Sequence, residues 1–273
     1  MNSYKDFYDN HELHMFIDIS TYCNAGCPQC HRTDRWGGGL GKIEWLPLIQ
    51  WTLEEFKNAY DEELVKRTYL WEICGTWGDP AMCKDLYEIC EYILDTNPRT
   101  QLTIDTNGSI RPKSWWRKMG ELSKKCKGKG LIRFDFAIEG INQEMQEKYR
   151  RKTELDKILA NMKEVTDAGA QADGFCVVHK HNQDYLQEIL DLCRAYGAID
   201  VIFVESNRFS DGPVFEFKNE HGEEDVLEQA TTYYKPKKVR DAQSDWKTRS
   251  EFQPWFLEMK RKVENVGEEE DIH

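Results

Sequence analysis

The chain has 273 residues, enough for one large domain or two small ones, and carries a formal net charge of -12 and nine cysteines. That acidity works against attraction to a phosphate backbone, so nucleic acid is not an expected partner. No apolar run approaches the ~20 residues that cross a bilayer, so a membrane is not expected either. An odd cysteine count in so large a chain, behind a first segment (residues 1–13) too polar for a signal peptide, points to a reducing, cytoplasmic setting and not to a disulfide framework.

Residues 14–20 alternate, are rich in β formers and read as the first strand. It delivers a loop, Thr21-Tyr-Cys-Asn-Ala-Gly-Cys-Pro-Gln-Cys-His31, at its C-terminal end, where α/β barrels place their chemistry. Cys23, Cys27 and Cys30 offer three thiolates from that one loop, and the next cysteine is Cys74. A cubane iron-sulfur cluster held there keeps one iron without a protein ligand. Zinc is the poorer match, because a structural zinc site needs four ligands and Cys27 and Cys30 form the only C-x-x-C pair of the loop. Further on, Gly37-Gly-Gly-Leu-Gly-Lys42 is not a phosphate loop: Trp36 stands at the required first glycine and no Ser or Thr follows the lysine. It reads as a flexible lid.

Strands are then predicted over 68–74, 101–106, 131–138, 174–179 and 200–205, with helices over 53–66, 83–94, 112–125, 154–168 and 183–196 between them. Thr52 and Pro112 mark helix starts, and Gly169 and Gly197 mark ends. Six strands alternating with helices imply right-handed crossovers and a parallel sheet. Six units fall short of the eight of a closed barrel. The expected fold is therefore α/β, a partial (β/α)6 barrel with a C-terminal extension and a lateral mouth for a large substrate.

The core is assigned to residues 1–205 and the extension to 206–273, which is polar with scattered aromatics at Trp246, Phe252, Trp255 and Phe256. Those aromatics are expected to pack on the barrel, and the acidic end of the chain is expected to be disordered. Basic runs at 111–129 and 235–240 read as solvated faces.

The triplet, its place after the first strand and the six-fold alternation together resemble the radical S-adenosylmethionine (SAM) superfamily over roughly residues 14–205. The resemblance implies a 4Fe-4S cluster on Cys23, Cys27 and Cys30, with SAM chelated at the open iron. Reductive cleavage of SAM then gives a 5'-deoxyadenosyl radical that takes hydrogen from a peptide, a protein side chain or a polar metabolite. It also implies an electron donor such as flavodoxin or ferredoxin. Gly75-Thr-Trp-Gly-Asp-Pro80 is similar to the family's Gly-Gly-Glu-Pro segment and places Gly78 and Asp79 at the cofactor. Asp105-Thr-Asn-Gly108 is similar to its Thr-Asn-Gly segment, which adds Asp105, Thr106 and Asn107. Phe136-Ala-Ile-Glu-Gly140 resembles the Ser-Ile-Asp-Gly of peptide-modifying and cofactor-maturing members, and Val178-His-Lys-His-Asn182 their Val-x-x-x-Asn. Tyr149-Arg150 is similar to their Tyr-Arg-Gly and implies Arg150 on the SAM carboxylate, which a guanidinium fork suits.

The departures carry information too. Gln29 stands where the family usually has an aromatic near the adenine, and Ala137 where a serine often helps hold the carboxylate. The last cysteine is Cys193, so C-terminal auxiliary clusters are not expected. Cys74 and Cys176 lie at or within strands and read first as core filling, with a role as hydrogen-atom donors as the functional alternative. Competing functions are a glycyl-radical activating enzyme, for which Asp105 to Gly108 speaks, a nucleoside-modifying member, and a non-catalytic iron-sulfur or zinc-binding module.

Overall fold

The computed structural model describes residues 13–34, 40–209 and 212–232. Its main sheet has six parallel strands, β1 (Leu13–Ile17), β4 (Thr68–Ile73), β5 (Gln101–Thr106), β6 (Leu131–Ala137), β7 (Gln171–Val178) and β8 (Val201–Glu205), in that spatial order. Each strand neighbours the next in sequence, which is the wind of a partial (β/α)6 barrel. A two-residue ribbon, β2 (Thr33–Asp34) with β3 (Gly41–Lys42), follows the cysteine loop.

The helices are α1 (Leu53–Ala59), α2 (Glu62–Arg67), α3 (Leu86–Thr96), α4 (Lys113–Glu121), α5 (Gln143–Tyr149), α6 (Leu155–Asp167) and α7 (Leu186–Ala195). The predicted 53–66 helix is two. Thr52 and Glu55 close a capping box at its start, but Tyr60 leaves helical geometry and Asp61 caps a new helix by accepting from the Leu64 N–H at 2.8 Å. Elsewhere the predicted ends move: turns of 3-10 helix occupy Leu122–Lys125 and Gln183–Tyr185 inside predicted helices and Pro80–Met82 ahead of one, while α3 runs on to Thr96. Gly169 and Gly197 do terminate their helices, both at positive φ (108° and 97°).

One face of the sheet carries the apolar core. Trp116 of α4 lies edge-on to Phe134 and tilted on Phe136 of β6, with centroids at 5.9 and 5.3 Å, and all three are fully buried. Each such side chain contributes about 2–3 kcal/mol by burial. Alternate residues therefore face the concave side. There Asp105, Asp135 and Asp173 stand side by side on β5, β6 and β7.

Beyond Glu205, in the segment assigned to a C-terminal extension, an antiparallel hairpin forms, β9 (Val214–Lys218) with β10 (Glu224–Glu228). Its signal was present: alternating Val-Phe-Glu-Phe-Lys, then a turn through Asn219 to Gly222, whose φ is 79°. The aromatics at 246–256, the basic run at 235–240, the acidic end and residues 35–39 of the glycine-rich loop lie outside the described residues. No helix among the described residues is long and apolar enough to cross a membrane.

Candidate functional site

The cysteine loop sits over the C-terminal ends of the strands. The turn after β4 meets it directly, since the Asp79 N–H donates to the Tyr22 carbonyl at 2.7 Å. Gly78 explains the closeness: a Cβ there would lie 2.2 Å from the Ser20 carbonyl oxygen, so only glycine lets the two backbones approach.

Asp79 is buried, and its carboxylate is filled by the chain itself. Oδ1 accepts from the Thr106 hydroxyl and the Ala81 N–H, both at 2.9 Å; Oδ2 accepts from the Asn107 N–H at 2.7 Å and the Asn107 side-chain amide at 2.5 Å. Four donors are about what a carboxylate takes. Burial pushes this carboxyl above its ordinary value, and the donors hold it down. The same Asn107 amide reaches the Cys23 sulfur at 3.8 Å and Asn24 at 2.9 Å. Gly108, at φ 70°, packs against the Phe136 ring and lets the turn close behind Asn107.

Arg150 caps α5 and donates from Nε to Glu139 Oε1 at 2.8 Å and from Nη1 to the Cys27 sulfur at 3.7 Å. Glu139, at the end of β6, is fully buried, and its Oε2 has no hydrogen-bond partner. Burial raises its carboxyl above the usual range against the pull of Arg150. Asn182 ties this corner to β7, donating to the carbonyls of Glu139 (3.0 Å) and Val177 (3.1 Å).

All three loop cysteines are free. Burial pushes the Cys27 thiol up to about 11 and raises Cys23 as well, so each thiolate needs a cationic partner to form. An iron-sulfur cluster would supply that charge, and the Asn107 and Arg150 N–H groups, which already reach the Cys23 and Cys27 sulfurs, would then donate to its thiolates. The donor set fits the cluster. Around it Ala25, Cys27, Leu40, Tyr149, Phe217 and Leu227 form one apolar cluster, on which Cys23, Cys30, Val177, Phe209 and Phe215 pack. The hairpin thus closes on the cysteine loop, a role the sequence reading missed.

Cys23, Cys27, Asp79, Thr106, Asn107 and Arg150 belong to this connected set, with Cys30 on the same loop. Asp105 points instead into the concave face with Glu72 and Asp135, and Cys74 lies beside it, its thiol pushed up to about 12 by burial and by Asp105. Cys176 is fully buried and two residues beyond Gly174, whose hydrogen faces Cys193 of α7; it packs on the helix side of the sheet, as core filling requires, with the Asn182 amide 3.7 Å from its sulfur.

Burial and the neighbouring Asp135 and Glu72 raise the Asp105 carboxyl to about 8. The folded chain then holds a proton that the unfolded chain releases. Its contribution to stability is complete below pH about 4 and is lost as the pH rises through about 8. Asp105→Asn is expected to match the parent at pH 4 and to exceed it by on the order of 2 kcal/mol at pH 9, read by urea denaturation at both pH values. A gap that does not open with pH would show that Asp105 titrates normally.

Three free thiols on a loop over parallel strand ends, two of them reached by amide and guanidinium donors, are what a half-barrel would need to hold a metal-sulfur group. The chain belongs to the Radical SAM superfamily of enzymes, whose family model matches residues 17–193. It is similar to the GTP 3',8-cyclase of Aliarcobacter butzleri, 25% identical over 195 residues that cover 69% of this chain and 54% of that protein. It is also similar to the AdoMet-dependent heme synthase of Oleidesulfovibrio alaskensis, 24% identical over 185 residues, 66% of this chain and 42% of that one. The chain thus spans about half the length of these relatives, or less. Among solved structures, Streptococcus suis SuiB bound to the precursor peptide SuiA superimposes with a TM-score of 0.53 at 15% identity, covering 73% of this chain and 40% of SuiB. That likeness concerns the fold.

Proposed function

We propose that this chain is a radical SAM enzyme with one 4Fe-4S cluster on Cys23, Cys27 and Cys30, acting on a peptide, a protein side chain or a polar metabolite. When bound, cluster and SAM supply the one-electron chemistry that yields a 5'-deoxyadenosyl radical. The observation that carries the reading is the pair of donors on the cysteine sulfurs, Asn107 to Cys23 and Arg150 to Cys27. In this reading Asp79 is a positioning residue that aims Asn107, and Arg150, held by Glu139 through Nε and reaching Cys27 through Nη1, would be the residue that holds the SAM carboxylate. The apolar cluster under the hairpin keeps water from the loop. The concave wall below presents Cys74, Asp105, Asp135 and Arg133, and a polar substrate suits it. Cys74 is the remaining candidate for hydrogen return.

Several relatives are GTP cyclases, so a nucleotide substrate is the second reading. The concave wall speaks against a triphosphate: even with Asp105 protonated near neutral pH, Glu72, Asp135 and Asp173 outnumber Arg133, which pairs with Asp135 and Asp173 at 3.3 and 3.7 Å. Acidic walls repel phosphate.

Reconstituted anaerobically, the chain is expected to bind about four irons, turn brown and, with dithionite and SAM, release 5'-deoxyadenosine. Cys27→Ala is expected to lose both properties. One zinc per chain, or an intact cluster that never turns SAM over, would overturn the proposal. Cytoplasmic placement and a flavodoxin or ferredoxin donor are part of the same reading.

A further inference from the structure

Each cysteine of the loop is held from a different part of the barrel. Cys23 and Cys27 receive donors on their sulfurs, whereas Cys30 is held through the residue before it. Gln29 is fully buried. Its Oε1 accepts from the Ser206 hydroxyl at 2.7 Å and lies 3.1 Å from His179 Nε2, and its amide N–H reaches the Arg208 carbonyl at 3.5 Å. The Arg208 guanidinium donates to the Gln29 main-chain carbonyl. Residue 29 is thus tied by side chain and main chain to the end of β7 and to the segment after β8.

His179 extends the connection in two directions. It is fully buried, its ring lies 4.7 Å from that of Tyr149, the residue before Arg150, and its backbone bridges to Gln229 just past β10. The hairpin is pinned on the same side, with Arg151 paired to Glu220 at 2.7 Å and to Asp225, and Lys180 paired to Glu228 at 2.6 Å. An apolar residue at position 29 could fill the same space but would strip His179 and Ser206 of a buried partner, which costs more than the bond is worth in isolation.

We propose that Gln29 is a positioning residue which, with His179, Ser206 and Arg208, sets the placement of Cys30 and makes Ser206, Arg208 and the β9–β10 hairpin part of the metal-holding site. The proposal rests on the cluster reading above. It assigns to the segment outside the barrel the outer-shell work that Asn107 and Arg150 perform from within it. It also accounts for a polar side chain where the family resemblance leads one to expect an aromatic.

The test compares the wild-type chain with Gln29→Leu, Ser206→Ala and Ser206→Thr, all loaded with iron and sulfide anaerobically. The readouts are the rate of iron release to a chelator, the electron paramagnetic resonance spectrum of the reduced cluster and the melting temperature of the iron-free chains. Gln29→Leu and Ser206→Ala are expected to release iron about tenfold faster, the usual scale for an outer-shell partner, and to shift the spectrum. Ser206→Thr keeps the hydroxyl and is expected to retain the wild-type rate. If Gln29→Leu does not fold, the Ser206 pair carries the comparison. Wild-type release rates in the loaded variants would overturn the clasp alone, as would faster release that merely follows a lower melting temperature. A wild-type chain that takes up no iron would overturn the cluster reading and this one with it.

Discussion

Glu139→Ala is expected to cost about 3–5 kcal/mol of folding stability, the range for removing one partner of a buried ion pair. Glu139 is fully buried and accepts the Arg150 Nε at 2.8 Å, while the other end of the guanidinium faces the Cys27 sulfur. Without the carboxylate, the guanidinium keeps the Cys27 thiol, the Tyr149 ring 5.0 Å away and the more distant charge of Asp79, but no acceptor in direct contact replaces Glu139 among the described residues. Arginine cannot shed its proton to escape. Glutamate can, and burial already raises its carboxyl, so Arg150→Ala is expected to cost distinctly less. Urea denaturation at pH 7 of both single variants and the double variant measures the asymmetry, and the double is expected to lose less than the sum. Equal single losses would mean that the pair contributes by packing and not by charge.

Asp79→Asn is the second large effect, at about 2–4 kcal/mol, because it keeps the shape and reverses the polarity of one oxygen. The four bonds to Asp79 all arrive as donors, from Thr106, Ala81 and twice from Asn107. An amide offers one acceptor and one donor group: with its nitrogen at the Oδ2 position it meets both Asn107 N–H groups, and at the Oδ1 position it meets the Ala81 N–H while the Thr106 hydroxyl must turn to accept. With Asn107 loosened, its contact with the Cys23 sulfur goes too, so iron content is expected to fall alongside stability. A variant that unfolds earlier yet binds iron as the parent does would confine Asp79 to the fold. Denaturation and iron analysis on one preparation separate the two outcomes.

The local pattern carried a large part of this protein. Hydrophobic alternation and capping residues located the six strands of the barrel because each is stabilised by what its own residues bury. The three cysteines were legible because they are close in the chain, and the Thr-Asn-Gly and Tyr-Arg segments because their spacing is local as well. Breaks inside predicted helices, as at Tyr60 and Asp61, were harder to see, since a cap competes with helix continuation by only about 1 kcal/mol.

The sequence by itself determined the order of strands and helices and the thiol triplet, since both depend on residues within a few positions of one another. Tertiary structure alone decided that Asp79 aims Asn107, that Arg150 is shared between Glu139 and Cys27, that Cys176 faces the helices, and that a hairpin past the barrel closes on the cysteine loop. Those contacts join residues from 11 to 190 or more positions apart. Hydrogen-bond complementarity and burial at such separations are fixed only when the sheet brings strand ends together, and no periodicity along the chain records them.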